Sequence, residues 1–372
     1  MAKTVSIVCE FNPIHKGHDE LINSIRNKYG DCIIIAVMTG NFTQRGTPAC
    51  YDKYVRAEAA LECGVDIVTE LPYPWSCEGV EKYARAGVSI LAGLGAEALC
   101  FATETGDPDN PIKYADIKYS VGFNTLQKKA EITEREKGSA SIFSGIMQDS
   151  GISCDLSGNE KLAGEYIHFA SIYGINECIQ FRRNEQYSAT RIRDTIASDG
   201  IESCSDSIPY EAYGVFLNGI RFNEDEFTEY LYRYCSVNLD ANDGISSFLV
   251  KRARESSSKE VFIGNINNKK YTLSRLRREL LGKITGVPPF KKDPGYTLVL
   301  SANQKGTGYL KTIRNKTDIK IITKPSDITD LAVYDPLLEA WMKSDGLYAC
   351  LSDREYGYFL KKKPYIKKQS IL

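Results

Sequence analysis

Two of the three histidines in the chain, His15 and His18, stand three residues apart between a short apolar run and an amphipathic stretch. On the first turn of a helix, this spacing points both imidazoles to the same side, beside backbone N–H groups that have no partner within the helix. Such a helix end attracts phosphate groups. Gly17 lets a ligand approach the backbone closely, and Pro13 stiffens the turn before the helix. The pattern predicts a site for a phosphate-bearing ligand.

The same layout suits a nucleoside triphosphate whose α-phosphate is attacked while pyrophosphate leaves. Hydrogen-bond donors that face the developing negative charge lower the barrier of such a reaction. The alternative is a helix cap that carries two incidental surface histidines. The preceding strand, the Pro, the Gly and the following helix favour the catalytic interpretation. We therefore predict that His15 and His18 are catalytic and that no nucleophilic side chain is required.

The elements that must position these histidines are indicated by short β-rich runs that alternate with longer amphipathic stretches up to about residue 200. This alternation predicts β-α units and a Rossmann-like parallel sheet of the α/β class. The predicted strands cover residues 4–9, 32–38, 66–71, 98–101 and 178–181. After Ser203 the pattern is mainly helical, as in residues 213–234 and 273–283. Strands over 296–300 and 320–323 predict a small terminal β-α-β element.

The composition is that of an ordinary globular chain of 372 residues, with 42% hydrophobic and 26% charged residues. It excludes a disordered or fibrous protein. Since 47 Lys and Arg balance 48 Asp and Glu, the net charge of -1 does not indicate a nucleic-acid or membrane partner. The eleven cysteines form no C-x-x-C pair and no metal-ligand spacing, which predicts reduced thiols, no metal site and a cytoplasmic location. The first apolar run is too short to span a membrane.

The segment that holds His15 and His18 resembles the H-x-G-H signature of the adenylyl- and cytidylyltransferases. Residues 37–46, 52–58, 65–72 and 99–104 are similar to further segments of the tRNA(Met) cytidine acetate ligase family within this superfamily. The resemblance is tight over residues 5–105, looser over 155–200 and recognisable in outline beyond. It implies a nucleotidyltransferase (ATP-binding) domain over residues 1–203 and a mainly helical, basic, tRNA-binding region over residues 204–372.

The resemblance implies an enzyme that activates acetate with ATP to acetyl-adenylate and then acetylates N4 of the wobble cytidine in elongator tRNA(Met). Mg²⁺ is expected to balance the charge of the triphosphate. His15 and His18 would contact the phosphates. The ATP-binding positions carried over from the family are Val8, Cys9, Glu10, Phe11, Asn12, Pro13, Ile14, His15, Lys16, Gly17, His18, Asp19, Glu20, Leu21, Ala102, Asn159 and Arg182.

A later segment, residues 187–193, resembles the second phosphate motif of the superfamily. Either Ser188 or Thr190 can cap the helix that Arg191 opens, which leaves free N–H groups for the β- and γ-phosphates. The alternative for this segment is a solvated helix start. We predict that Ser188, Thr190 and Arg191 belong to the ATP site. A loop that usually precedes Ser188 in the family is missing here.

Two residues depart from the family pattern. Ala102 stands where the family usually has Gly, and it adds a methyl group where the ligand passes. Glu160 lies in a segment that is usually Pro-Asn-Asn-Ile-Leu, and its charge would repel a triphosphate unless it faces away. With the missing loop, these departures leave open a non-catalytic RNA-binding descendant. A nucleotidyltransferase that acts on a small phosphorylated metabolite is the other alternative.

The strongest local charge lies in residues 251–292, which contain twelve Lys or Arg and three Glu. Cations on one helix, with Tyr271 as a stacking surface, are typical of RNA binding. A solvated charged helix face is the alternative. The segment resembles the basic helix of the family, and the predicted RNA-binding residues are Lys269, Lys270, Arg275, Arg277 and Arg278. The oligomeric state is not predicted.

Overall fold

The structure is a computed structural model that describes residues 2–123, 125, 145–149, 156–268 and 271–368. Among these residues, eight strands form one sheet in the order β5-β4-β1-β2-β3-β6-β7, with β8 beside β6. The strands are β1 (Thr4–Cys9), β2 (Ile33–Thr39), β3 (Ile67–Leu71), β4 (Ala98–Thr103), β5 (Glu177–Arg182), β6 (Tyr296–Asn303), β7 (Lys320–Ile322) and β8 (Tyr365–Lys367). The predicted α/β class is confirmed, and each predicted strand is present with small changes at its ends.

The five N-terminal strands are parallel and carry the site. Their order from β3 to β5 is 3-2-1-4-5, because both β2 and β4 pair with β1. All residues of β2 are buried, which is why this strand reads as an almost continuous apolar run rather than an alternating one. In such sheets, ligands bind outside the carboxyl ends of the strands at the point where the winding reverses. Here this point lies between β1 and β4.

Helices follow each of the parallel strands, as the alternation predicted. They are α1 (Lys16–Tyr29), α2 (Lys53–Glu62), α3 (Val80–Gly93), α4 (Asp109–Lys118), α5 (Gly158–Tyr173) and α6 (Ala189–Asp199). The first helix, α1, buries Ile22 and Ile25 in the core. It ends at Gly30, whose φ of 60° is readily adopted only by glycine. Helix α1 is therefore fixed under the sheet with its N-terminus at the carboxyl end of β1.

The middle of the chain is helical. Its helices are α7 (Tyr210–Asn218), α8 (Glu224–Arg233), α9 (Gly244–Arg254), α10 (Lys259–Ile266) and α11 (Leu273–Thr285). The predicted helical stretch over 213–234 is divided between α7 and α8. Gly219 is extended at the break, and a Cβ at this residue would lie 2.9 Å from Val55. Asn223 then starts α8 by accepting a hydrogen bond from the backbone N–H of Asp225.

The terminal part of the chain returns to the sheet. Strand β6, helix α12 (Gln304–Ile313) and strand β7 form the predicted β-α-β element, and β6 also pairs antiparallel with β3. Helices α13 (Asp327–Ala332) and α14 (Pro336–Cys350) precede β8. The sheet is thus shared by both parts of the chain, and the division at residue 203 stays a prediction. No helix in the described residues is long and apolar enough to cross a membrane.

Candidate active site

The H-x-G-H segment forms the turn between β1 and α1. His15 caps α1 in an extended conformation, and its backbone N–H donates a hydrogen bond to Nδ1 of His18 at 3.3 Å. The two imidazole rings stack with their centroids 3.8 Å apart. Phe11 is buried beneath them and meets the His18 ring edge-on at 5.2 Å. The spacing of three residues therefore places both imidazoles on one side of the helix end.

Both histidines are neutral at pH 7. Burial, together with the nearby Arg183 guanidinium, lowers the pKa of His15 to about 4, and burial lowers the pKa of His18 well below its usual range. Because Nδ1 of His18 accepts a hydrogen bond, its proton resides on Nε2. The buried Nδ1 of His15 has no hydrogen-bond partner among the described residues. The pair thus offers neutral donors beside a helix N-terminus.

The second predicted phosphate motif lies directly against the first. A Cβ at Gly17 would be 3.1 Å from Cε1 of His15 and 3.5 Å from Cβ of Tyr187, so only glycine fits between the two segments without a shift. Tyr187 also stacks on His15 with 6.4 Å between ring centroids. Arg193 donates from Nη1 to the backbone carbonyl of Asn12 at 2.8 Å. Residues that are far apart in the sequence are therefore joined at one place.

Ser188 is the cap of helix α6. Its Oγ accepts a hydrogen bond from the backbone N–H of Arg191 at 3.5 Å, whereas Oγ1 of Thr190 accepts one from Nη2 of Arg193 at 3.1 Å. The side chains of Thr190 and Arg191 are exposed. The N-termini of α1 and α6 are thus brought together, as expected for a site that holds a triphosphate.

Arg183 is a residue of this site that sequence reasoning missed. Its guanidinium lies 3.3 Å from Oε1 of Glu104 and donates to the carbonyl of Tyr187 at 3.4 Å. It lies close enough to lower the pKa of both histidines. The predicted residue, Arg182, is exposed on β5 opposite Thr103, beside Gly106. Because successive side chains of a strand point to opposite faces of the sheet, strand alternation predicts that only one of the two neighbouring arginines can face the site.

The end of β4 supplies the other wall of the site. Glu104 accepts hydrogen bonds from Oγ of Ser157 and from Nδ2 of Asn159, the latter at 2.6 Å. Ala102 is half-buried in β4, paired with Phe181. Asn159 and Arg183 therefore bind the same carboxylate, that of Glu104, and Arg183 is in turn the residue beside the histidines.

Glu160, the departure from the family pattern that could repel a phosphate, is buried and held at the start of α5 by hydrogen bonds. Its carboxylate accepts the backbone N–H of Ser157 at 3.0 Å and the hydroxyl of Thr105 at 2.7 Å. Its own N–H donates to Oγ of Ser157 at 3.1 Å, which completes a capping box at the start of α5. The carboxylate therefore stabilises a helix end.

The rest of the predicted ATP-binding run builds the turn in several ways. Ile14, like Phe11, is fully buried and anchors the backbone of the turn in the hydrophobic core. The backbone N–H of Lys16 is bonded to the carbonyl of Ser207, and Asp19 and Glu20 accept hydrogen bonds from nearby asparagine side chains. The half-buried or buried members of the run that remain are Val8, Cys9, Glu10, Asn12, Pro13 and Leu21.

Two buried cations hold the framework of the site. Arg56 donates to the carbonyls of Glu10, Thr39 and Tyr51 at 2.5, 3.1 and 2.9 Å. It therefore fixes the ends of β1 and β2. Lys53 lies 2.8 Å from Oε2 of Glu70 and 2.5 Å from Oδ2 of Asp345. Neither cation is exposed, so both act on the fold.

The predicted RNA-binding residues that the structure describes lie on α11. Arg275 is exposed with its guanidinium 5.6 Å from the Tyr271 ring, and Arg277 lies 3.7 Å from Glu224. Arg278 donates to the backbone carbonyl of Gln44 at 3.3 Å. Lys269 and Lys270 lie outside the described residues. Helix α11 is thus beside the loop that follows β2.

A parallel sheet of order 3-2-1-4-5, with an H-x-G-H turn after its first strand, defines an α/β protein of the nucleotidyltransferase class. The chain belongs to the HIGH Nucleotidyl Transferase family, whose model matches residues 2–362. The enzyme family that the sequence resembles is thereby confirmed.

Known relatives match nearly the whole chain. The tRNA(Met) cytidine acetate ligase of Caldicellulosiruptor saccharolyticus is 29% identical over 96% of both chains. The ligase of the same name from Caldanaerobacter subterraneus is 30% identical and covers 87% of this chain and 88% of the relative. The crystal structure of Thermotoga maritima TmcAL bound with α-thio ATP has a TM-score of 0.88 and 23% identity, covering 99% of this chain and all of the other. The fold is therefore that of TmcAL.

Proposed function

We propose that the protein is a tRNA(Met) cytidine acetate ligase, which forms acetyl-adenylate from acetate and ATP and then acetylates N4 of the wobble cytidine in elongator tRNA(Met). The observation that carries this proposal is the pair of stacked, neutral histidines at the N-terminus of α1, with the N-terminus of α6 and Arg183 beside them. The choice of acetate as the acid and of tRNA(Met) cytidine as the acceptor follows the names of the relatives.

In the first step, an acetate oxygen attacks the α-phosphorus of ATP, and the bond between this phosphorus and the bridging oxygen breaks as pyrophosphate leaves. ATP would enter as its Mg²⁺ complex. Donors from His15, His18 and the two helix ends would stabilise the charge that develops on the phosphate oxygens. Acetate is already an anion, so no general base is needed. Most of the rate enhancement would come from positioning and electrostatics.

The remaining ATP contacts are proposed from the family positions. Ser188, Thr190 and Arg191 would bind the β- and γ-phosphates, and Asn159 and Arg182 would contact the nucleotide. The fully buried Phe11 and Ile14 would act by shaping the turn. The site as a whole would extend from the end of β1 across β4 to β5.

In the second step, the N4 amine of cytidine attacks the acetyl carbonyl carbon, AMP leaves with the carboxyl oxygen that joined it to the acetyl group, and the amine loses a proton. The arginines of α11 would bind RNA phosphates, since they lie one loop away from the H-x-G-H turn. A cytoplasmic location is part of the proposal because tRNA is the acceptor.

Purified protein, ATP, Mg²⁺, ¹⁴C-acetate and elongator tRNA(Met), without acetyl-CoA, test the complete reaction. The proposal expects labelled N4-acetylcytidine at the wobble position and none when ATP is omitted. A protein that instead transfers AMP from ATP to a phosphomonoester, and leaves the tRNA unlabelled, would be a nucleotidyltransferase of small metabolites. Binding of tRNA without either reaction would identify a non-catalytic descendant.

A further inference from the structure

A cleft of about 580 Å³ lies between α11 and the segment that joins β3 to α3. One wall is formed by Tyr73, Pro74 and residues 77–79, and the other by a single stripe of α11 that includes Arg275, Arg278 and Gly282. This volume is within the range of ligand pockets and large enough for one nucleotide. The cleft lies outside the H-x-G-H site.

Both walls of the cleft are bound to the same short loop after β2. Gln44 donates from Nε2 to the carbonyl of Glu78 at 2.7 Å, and its own carbonyl accepts from Arg278 at 3.3 Å. A Cβ at Gly46 would be 2.9 Å from the backbone nitrogen of Arg278, so the loop packs against the helix itself. The backbone N–H of Gln44 donates to Oε1 of Glu10 at 2.8 Å. One residue therefore connects the cleft to the H-x-G-H turn.

The charges in the cleft leave cations available for an anion. Arg278 has no carboxylate within 4.0 Å in the described part of the chain, and burial lowers the pKa of its guanidinium. Arg275 is exposed. The acidic residues of the walls are Glu78, which lies 3.3 Å from Lys82, and the exposed Glu279. A half-buried guanidinium without an ion pair suits a phosphate group that arrives with a ligand.

We infer that this cleft binds one nucleotide of the RNA substrate, with the base between the walls and its phosphate on Arg278 and Arg275. The inference rests on the proposed function and adds to it the place where the RNA chain meets the protein next to the adenylate. Gln44 acts as a positioning residue, because it holds the cleft and the turn in a fixed relation. Gly282 lies on the α11 wall of the cleft, where an added Cβ would meet only Val287, at 3.9 Å.

The test fills the cleft without touching either histidine. Gly282→Leu projects a side chain into the cleft from a helical position that accepts a Cβ, and Gly282→Ala adds only a methyl group. Gly214→Leu, on the exposed side of α7 with nothing within 4 Å of its Cβ, is the matched control. Each variant is assayed for tRNA dissociation constant, for acetate-dependent ATP-pyrophosphate exchange without tRNA, and for binding of cytidine monophosphate.

The inference expects Gly282→Leu to weaken tRNA binding about tenfold or more, because its side chain excludes the nucleotide from the cleft, while Gly282→Ala and Gly214→Leu bind normally. Exchange without tRNA stays unchanged in all three. Equal tRNA affinity of Gly282→Leu and Gly214→Leu overturns the inference, as does loss of monophosphate binding with unchanged tRNA affinity, which would mark a site for a free nucleotide. Absence of exchange in the wild-type protein would instead contradict the proposed function, and the binding comparison would still decide the cleft.

Discussion

At the scale of residues, contacts between side chains can be predicted from the sequence only when both side chains belong to the same element and their spacing brings them together. His15 and His18 meet because a spacing of three residues at a helix end places their side chains on the same face. Arg193 belongs to the segment 187–193 that the family resemblance already assigned to the site, whereas strand alternation separates Arg183 from Arg182 without placing Arg183 beside the histidines. The positions of Arg183 and Arg193 depend on the register of β5 against β4 and on the packing of α6.

The two neighbouring arginines at the end of β5 provide a test of this geometry. Arg183→Gln is expected to reduce acetate-dependent ATP-pyrophosphate exchange about tenfold or more, because a charged donor beside the histidines is lost. Arg182→Gln changes the exposed neighbour and is expected to have a smaller effect. Exchange rates at saturating ATP and acetate would measure both. A larger loss in Arg182→Gln would contradict the assignment of Arg183.

The buried imidazole of His15 predicts how stability depends on pH. Its pKa is about 4 in the folded protein against an ordinary value of 6.5, so its contribution to stability is present above pH 6.5 and is lost as pH falls toward 4. This term amounts to about 2 kcal/mol between pH 7 and pH 5. Urea unfolding at both pH values should show a shallower fall in the free energy of unfolding for His15→Gln. Parallel pH profiles of the variant and the wild-type protein would rule the term out.

At the scale of elements, the strands could be predicted because a parallel strand that is buried on both faces consists of a nearly continuous run of apolar residues. This signal does not depend on which elements cover the strand. The sequence pattern predicted the ends of the helices less accurately than the strands. The stretch over 213–234 has one apolar pattern, yet it is divided at Gly219, where the backbone packs against Tyr51 and Val55. A contact that is distant in the sequence overrides local helical periodicity there.

The N-terminus of α1 allows a test at this scale. Gly17→Ala places a Cβ 3.1 Å from the His15 ring and is expected to displace that imidazole, lowering exchange about tenfold or more while the protein stays folded. Gly158→Ala makes the same change on the first turn of α5, where nothing lies within 4 Å of the added Cβ, and should exchange like the wild type. Identical rates for both variants would show that the close contact at Gly17 is not needed for catalysis.

At the scale of the whole molecule, the shared sheet could not be predicted. Strands β6 and β7 were predicted and β8 was not, and the antiparallel pairing of β6 with β3 joins segments more than 200 residues apart. A buried cluster fixes the same junction: Lys53 from α2 pairs with Glu70 on β3 and with Asp345 on α14. Burial raises the pKa of Glu70 to about 7. The terminal helix α14 thus supports the framework on which the site is built.

Removal of the cation from this cluster is expected to destabilise the molecule strongly. Lys53→Met leaves two buried carboxyl groups without their partner and should lower the free energy of unfolding by about 3–5 kcal/mol. Lys343→Met breaks an exposed pair with Glu339 on α14 and should change it by less than about 1 kcal/mol. Urea denaturation at pH 7.5 would measure both changes. Similar stability of the two variants would show that the buried cluster does not hold the parts together.

The central claim is that the stacked histidines catalyse the attack of acetate on the α-phosphate of ATP, and acetate-dependent ATP-pyrophosphate exchange without tRNA tests it most directly. The wild-type protein is expected to exchange pyrophosphate only when acetate is present. His18→Ala should lose about a hundredfold or more of that rate while tRNA affinity stays unchanged, because one donor to the developing charge is removed. His168→Ala, at a histidine stacked on Tyr119, should keep the wild-type rate. Exchange that needs no acetate, or that survives in His18→Ala, would contradict the account.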